Sequence, residues 1–243
     1  MKSKKSKSIF PALIVLALSI GFVTKFAGPN LLKQYVSYGV GSCKSIPILC
    51  MQPEEKTFYP EIDKKYLDTL IPQTFPKMSI SIPKGFAIVQ ELIHKRYYKR
   101  RQPNNEAVIY LLFQKPGEFI RLYPDVKRDG VTDNYEFIKR LMYADLDKID
   151  DITKAFFIIM KSVFTPDIGN QGTAKMIKFK LTNLKGFINY TMSNTNNYFD
   201  CNVLDDKGNF FKIYIKDVGS RLDLNKIFAI ISTVRPLNQA DLS

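Results

Sequence analysis

From Met78 onward, apolar and polar residues alternate in stretches short enough to be strands, broken by three helical patterns. Met78 to Pro83 (MSISIP) alternates residue by residue, which predicts a half-buried strand. Lys84-Gly85 turns the chain, and Phe86 to Ile93 forms a second strand. Glu106 to Gln114 (EAVIYLLFQ) is almost continuously apolar, as in a strand covered on both faces. The period then lengthens. Asp133 to Ala144 (DNYEFIKRLMYA) predicts a helix with Asp133 as its cap and Glu136 completing a capping box. Asp151 to Phe164 (DITKAFFIIMKSVF) predicts another, apolar nearly all round and so buried.

A run of strands follows. Lys175 to Leu181 and Gly186 to Met192 flank one turn, and Tyr198 to Leu204 and Phe210 to Lys216 flank Asp205 to Asn209, a strong hairpin signal. Alternation points Phe199, Cys201 and Val203 to one side, and Phe211, Ile213 and Ile215 match them across the hairpin. Cys201 therefore reads as a small buried hydrophobe. A closing helix starts at Asp223 and runs through Arg235, with Leu224, Ile227, Ile230, Ile231 and Val234 as its apolar stripe and Pro236 as its stop. Strands, then helices, then a four-strand meander and a helix predict an α+β domain over residues 78–237, an antiparallel sheet with packed helices.

The N-terminal part has a different pattern. Lys2, Lys4, Lys5 and Lys7 precede an uncharged apolar stretch from Ser8 to Thr24, and Lys25 closes it. A basic start before such a run predicts a signal anchor over residues 1–27, one transmembrane helix ahead of the domain. The lysines place the N-terminus in the cytoplasm and the main domain outside it, in the periplasm or at the cell surface. Residues 28–77, with Pro53, Pro60, Pro72 and Pro76 among mixed charges, read as an extracytoplasmic linker with a short helix near Ile62 to Leu70. Val40-Gly41-Ser42-Cys43 lies too far past the apolar run to be a lipidation box. Cys43 and Cys50 suit a local disulfide in an oxidising compartment, with free thiols as the alternative.

The order that opens with MSISIPKGF (Met78 to Phe86), passes through a polar loop and a mid-domain helix, and closes a meander with DLNKIFAIISTVRP (Asp223 to Pro236) resembles PsbP-like domains. The resemblance rests on element order across about Met78 to Leu237, and the helix at Asp151 to Phe164 departs from it. It implies an α-β-α sandwich and a non-enzymatic, extracytoplasmic accessory or assembly role.

Composition narrows the chemistry. The chain of 243 residues is 45% hydrophobic and 13% aromatic, which excludes global disorder. Lys and Arg number 36 against 23 acidic residues, a net charge of +13 that favours anionic partners. A single histidine, His94, excludes histidine-rich metal sites, and no P-loop, dinucleotide fingerprint, GxSxG or HExxH occurs. No catalytic residues, metal or cofactor are expected.

Two basic groups are the candidate binding residues. Lys95, Arg96, Tyr97, Tyr98, Lys99, Arg100 and Arg101 interleave charge with aromatic rings, which suits anionic lipid headgroups or an acidic partner. An exported position disfavours nucleic acid, and a solvated loop between strands is the plain alternative. Lys178, Lys180, Lys212 and Lys216 oppose the apolar positions of their strands and would share one solvent face if those strands were neighbours. A further stretch, Asp125 to Glu136, has some of the spacing of a calcium loop, but Lys127 stands where an oxygen ligand belongs and capping already explains Asp133 and Glu136. The expected function is a membrane-anchored accessory or scaffold subunit that binds a membrane protein complex; the alternative is a lipid- or anionic-ligand-binding module at the membrane surface.

Overall fold

The computed structural model describes residues 28–75, 77–92, 94–102, 105–165, 174–219 and 221–237. Two compact units divide the chain, one from Met1–Cys50 with Ala144–Thr165 and one from Met51–Tyr143 with Pro166–Ser243.

The smaller unit is helical. Helix α1 covers residues 28–40 and buries Leu32 and Val36, one turn apart. A 3₁₀ turn over Pro47–Leu49 follows, and it lies against helix α5, Ile152–Phe164. Asp151 caps α5 by accepting a hydrogen bond from the Lys154 amide at 2.7 Å. Ala155, Phe157, Ile158, Ile159 and Met160 are buried around much of its circumference.

The larger unit is built on an eight-stranded sheet in the order β1-β7-β8-β9-β10-β6-β5-β4. Its strands are β1 Thr57–Phe58, β4 Ala87–Leu92, β5 Lys95–Gln102, β6 Asn105–Gln114, β7 Lys175–Lys180, β8 Leu184–Met192, β9 Asn196–Asp205 and β10 Phe210–Val218. Strands β7 to β10 are consecutive antiparallel neighbours, and β1 joins β7 in parallel. A second sheet, β11-β3-β2, comprises β2 Ile71–Phe75, β3 Met78–Ile82 and β11 Arg235–Pro236.

One face of the large sheet carries Ile177, Phe179, Ile188, Phe199, Cys201, Val203, Phe211, Ile213 and Ile215 into a core with helix α6, Leu224–Ser232, and strand β3. Asp223 caps α6 through the Lys226 amide at 2.9 Å. The helix ends at Ser232, short of the expected Arg235, because Arg235–Pro236 pairs with β3 and the residue before a proline favours an extended backbone. Gly186 is fixed by packing: a Cβ there would lie 1.9 Å from the Asn202 carbonyl oxygen. On the opposite face, α3 (Glu118–Leu122) and α4 (Asn134–Tyr143) contribute Phe119 against Phe210 and Tyr135 and Tyr143 against Phe187.

Three expectations are corrected. The chain is a mixed α/β fold with a large sheet and helices, but among the described residues no helix is long and apolar enough to cross a membrane. Residues 1–27, on which the signal anchor was placed, lie outside the described residues, so the transmembrane helix is withdrawn from the fold and, with it, the anchored, single-pass description. Helix α1 cannot take its place, because Lys33, Gln34, Ser37 and Tyr38 make it amphipathic. Second, the stretch read as a linker holds regular elements among its described residues: α1, β1, helix α2 (Lys64–Leu67) and β2. Third, the basic run after His94 is not a loop but strand β5, between β4 and β6.

Candidate functional site

Strand geometry divides the basic run. Successive side chains on β5 point to opposite faces. Arg96, Tyr98 and Arg100 face the core side, while Lys95, Tyr97 and Lys99 face the other; the side chain of Arg101 is outside the described part. Arg96 is buried and partnered through its terminal nitrogens: it pairs with Glu91 and donates to the Thr74 carbonyl at 2.7 Å and the Tyr98 hydroxyl at 3.2 Å. Lys99 pairs with Glu106 at 2.7 Å. These residues therefore hold the sheet together more than they present one basic surface.

Arg100 is different. It reaches into a cleft of about 280 Å³ lined by Tyr66, Thr69, Pro83, Lys84, Phe86, Arg100, Asp217, Arg221 and Leu222. Four separated segments build this cleft. Asp63 caps α2 by accepting from the Tyr66 amide at 3.0 Å, which sets Tyr66 beside the opening. Gly85, at φ +91°, turns the chain between Lys84 and Phe86, a backbone state that glycine alone adopts freely. The Phe86 ring then backs the Arg100 guanidinium at 4.9 Å. Asp217 at the end of β10 is buried, accepts from the Leu222 amide at 2.7 Å and stands 3.8 Å from Arg100.

Cations outnumber carboxylates in the lining: Lys84, Arg100 and Arg221 against Asp217. The Tyr66 hydroxyl and the Arg100 Nε are buried and have no hydrogen-bond partner among the described residues. Burial, with the nearby carboxylates of Asp217, Asp223 and Asp63, pushes the Tyr66 phenol up to about 12, so it stays a neutral donor at physiological pH. An adjoining hollow shares Arg221 and Leu222 and adds Asp223 and Lys226. Lys226 lies over the Tyr66 ring at 5.8 Å and donates to the Arg221 carbonyl at 2.9 Å.

The expected lysine face does not assemble. Register places Lys178, Phe187, Asn202, Lys212, Leu112 and Lys95 in one row across the sheet, so Lys178 and Lys212 do share a face. Strands β8 and β9 nevertheless separate β7 from β10, and Lys212 is buried. It pairs with the fully buried Asp200 at 2.7 Å and donates to Asn202 Oδ1 at 3.3 Å. Around this pair, both amide atoms of Asn189, the Thr191 hydroxyl and Asn202 Nδ2 have no partner among the described residues. Burial raises the Asp200 pKa, and Lys212 opposes that shift. Lys216 is half-buried, and Lys180 is the exposed member of the set.

Cys43 and Cys50 are joined by a disulfide, with Cα atoms 5.5 Å apart, in the helical unit. The Asp125 to Glu136 stretch does not converge on one point as a calcium loop would: Pro124–Asp129 is a 3₁₀ turn, Asp133 caps α4 through the Glu136 amide, and Glu136 pairs with Lys139. His94 sits exposed in a turn, its pKa lowered by partial burial and Lys77.

No family model matches the chain, and no curated protein matches it. Among solved structures it is similar to a protein from Bacteroides thetaiotaomicron VPI-5482, with 9% identity, 67% of this chain covered and a TM-score of 0.33. The match spans 46% of that protein's length. Nothing in these comparisons bears on the resemblance to PsbP-like domains.

Proposed function

We propose that the chain is a binding module for a phosphate-bearing anion, held in the cleft between α2, the Lys84–Phe86 turn and the end of β10. The observation that carries this reading is the convergence of Lys84, Arg100 and Arg221 on one cleft that holds a single carboxylate. A guanidinium offers paired donors that match phosphate geometry, and Phe86 behind Arg100 limits the rotamers lost on binding. The Tyr66 hydroxyl supplies a neutral donor in the same lining.

Calorimetric titration of the whole protein with pyrophosphate tests the reading, with vesicles of anionic and of neutral lipid as parallel arms. Heat with pyrophosphate, weakened roughly tenfold or more in Arg100→Ala and Arg221→Ala, is expected, since a charged hydrogen bond contributes about 1.5–3 kcal/mol. Binding to anionic vesicles alone, lost in the same variants, would assign the phosphate to a lipid headgroup. Absence of binding in every arm, or equal affinity in the variants, would sink the reading.

The edge of the large sheet favours a second reading, docking of an extended segment of a partner protein. Strand β4 is the terminal strand and all six of its side chains are exposed, with Ile88, Val89 and Leu92 among them. An unpaired edge of this kind can accept another strand. Replacing Val89 with proline would abolish such docking while leaving pyrophosphate binding intact; retention of the partner would end this reading.

A further inference from the structure

The disulfide corner of the helical unit has a third member. Asp147 lies in the 3₁₀ turn Leu146–Lys148, which Asp145 caps by accepting from the Asp147 amide at 3.0 Å. One of its carboxylate oxygens, Oδ1, pairs with Lys33 of α1 at 2.7 Å. The other, Oδ2, stands 3.7 Å from Cys43 Sγ and 3.7 Å from Cys50 Sγ. The three ligand atoms all lie within 4.8 Å of one another.

Those distances have a chemical meaning. A tetrahedral zinc ion with Zn–S of about 2.3 Å and Zn–O of about 2.1 Å sets its sulfur and oxygen ligands about 3.6 Å apart. The carboxylate oxygen thus already stands at tetrahedral-edge distance from both sulfurs. Lys33 on the second oxygen orients the carboxylate, the role an outer-shell partner plays at metal sites. The cysteines are half-buried and Asp147 is exposed, so a fourth position opens to solvent.

We infer that Cys43, Cys50 and Asp147 form a redox-gated site for a thiophilic divalent cation, zinc, that exists only when the disulfide is reduced. A disulfide has no thiolate to offer, so the bond and the metal exclude each other. Opening it takes two electrons and two protons from a thiol reductant, which is itself oxidised to a disulfide. The two thiols then release their protons to solvent as the metal binds. The spacing of the two cysteines hides this site in the sequence because its third ligand lies about a hundred residues further on.

The test uses the full chain and cobalt(II) and cadmium(II) as spectroscopic probes. After reduction with a phosphine, cadmium is expected to bind at one equivalent with a thiolate charge-transfer band, and cobalt to give tetrahedral d–d absorption. The oxidised protein should show neither. Asp147→Asn exchanges an exposed carboxylate for an amide of the same shape, so folding is retained. It should weaken binding by more than the roughly 10–100-fold that losing an outer-shell partner causes. Cys43→Ser should abolish the charge-transfer band, while Cys201→Ala should leave it unchanged. No band in the reduced protein, a band that persists in Cys43→Ser, or unchanged affinity in Asp147→Asn would overturn the inference.

Discussion

Two lysines are buried among the described residues, one in each unit, and their surroundings differ. Lys212, in the middle of the sheet, faces a carboxylate: Asp200 on the neighbouring strand is 2.7 Å away. Lys161, on α5, donates to the carbonyl of Ala144 at 2.7 Å, with Asp145 acting on it as a nearby charge. Burial lowers its pKa to about 7 against that opposing charge. A buried lysine can thus be set against a carboxylate, or it can be brought close to losing its proton. The sheet provides the first solution because cross-strand neighbours stand directly opposite. The helix end provides the second because it offers a bare carbonyl.

Breaking the pair should give the largest effect. Lys212→Met leaves Asp200 buried without its partner and should lower stability by about 3–5 kcal/mol in guanidinium unfolding at neutral pH. The double variant Asp200→Asn, Lys212→Met should recover most of that loss. A single variant as stable as the parent would mean that Asp200 is solvated and that the pair does not govern this face.

For Lys161 the contrast predicts a pH effect of the same sign as that of an acid-labile ion pair, but in an alkaline window. Its folded pKa lies below its unfolded value, so between pH 7 and about 10.5 the unfolded chain binds the additional proton. Stability should therefore rise with pH across that window, by up to about 1.4 kcal/mol per pH unit, and flatten below pH 7. Thermal unfolding of the parent and of Lys161→Met between pH 7 and 9 measures it. An identical slope in the two proteins would show that Lys161 is not its source. The smallest change is expected at Lys180, which shares the face of Lys212 but is exposed: Lys180→Glu should shift stability by no more than about 0.5 kcal/mol.

These lysines also show what the sequence makes legible. Alternation along β9 and β10 predicts Cys201 and Ile213 in the core, and it separates Lys212 from them correctly. It does not tell whether the opposite face is wet. Asn189, Asp200, Asn202 and Lys212 look like solvated positions, yet all are buried, because what lies over a face depends on other segments. The caps at Asp133, Asp151 and Asp223 are legible since each is decided within four residues. Strand β5 is not: eight residues rich in charge mask its period, and the long stem of Arg96 lets a cation occupy a core-facing position once Glu91 and the Thr74 carbonyl receive it. Of the cleft, only Arg100 stood out, because Tyr66, Lys84 and Arg221 carry no local pattern and meet through tertiary structure alone.

The two ends of the large sheet are unequal. Thr57 and Phe58 lie along β7 in parallel, and the Glu54 amide donates to the Met176 carbonyl at 3.0 Å, so that border is occupied by the chain's own backbone. The border at β4 has no such cover among the described residues. An added backbone would therefore meet six residues of terminal strand at β4 and two at β1. Two copies joined through the β4 border would be related by a two-fold axis, each presenting the same six residues to the other.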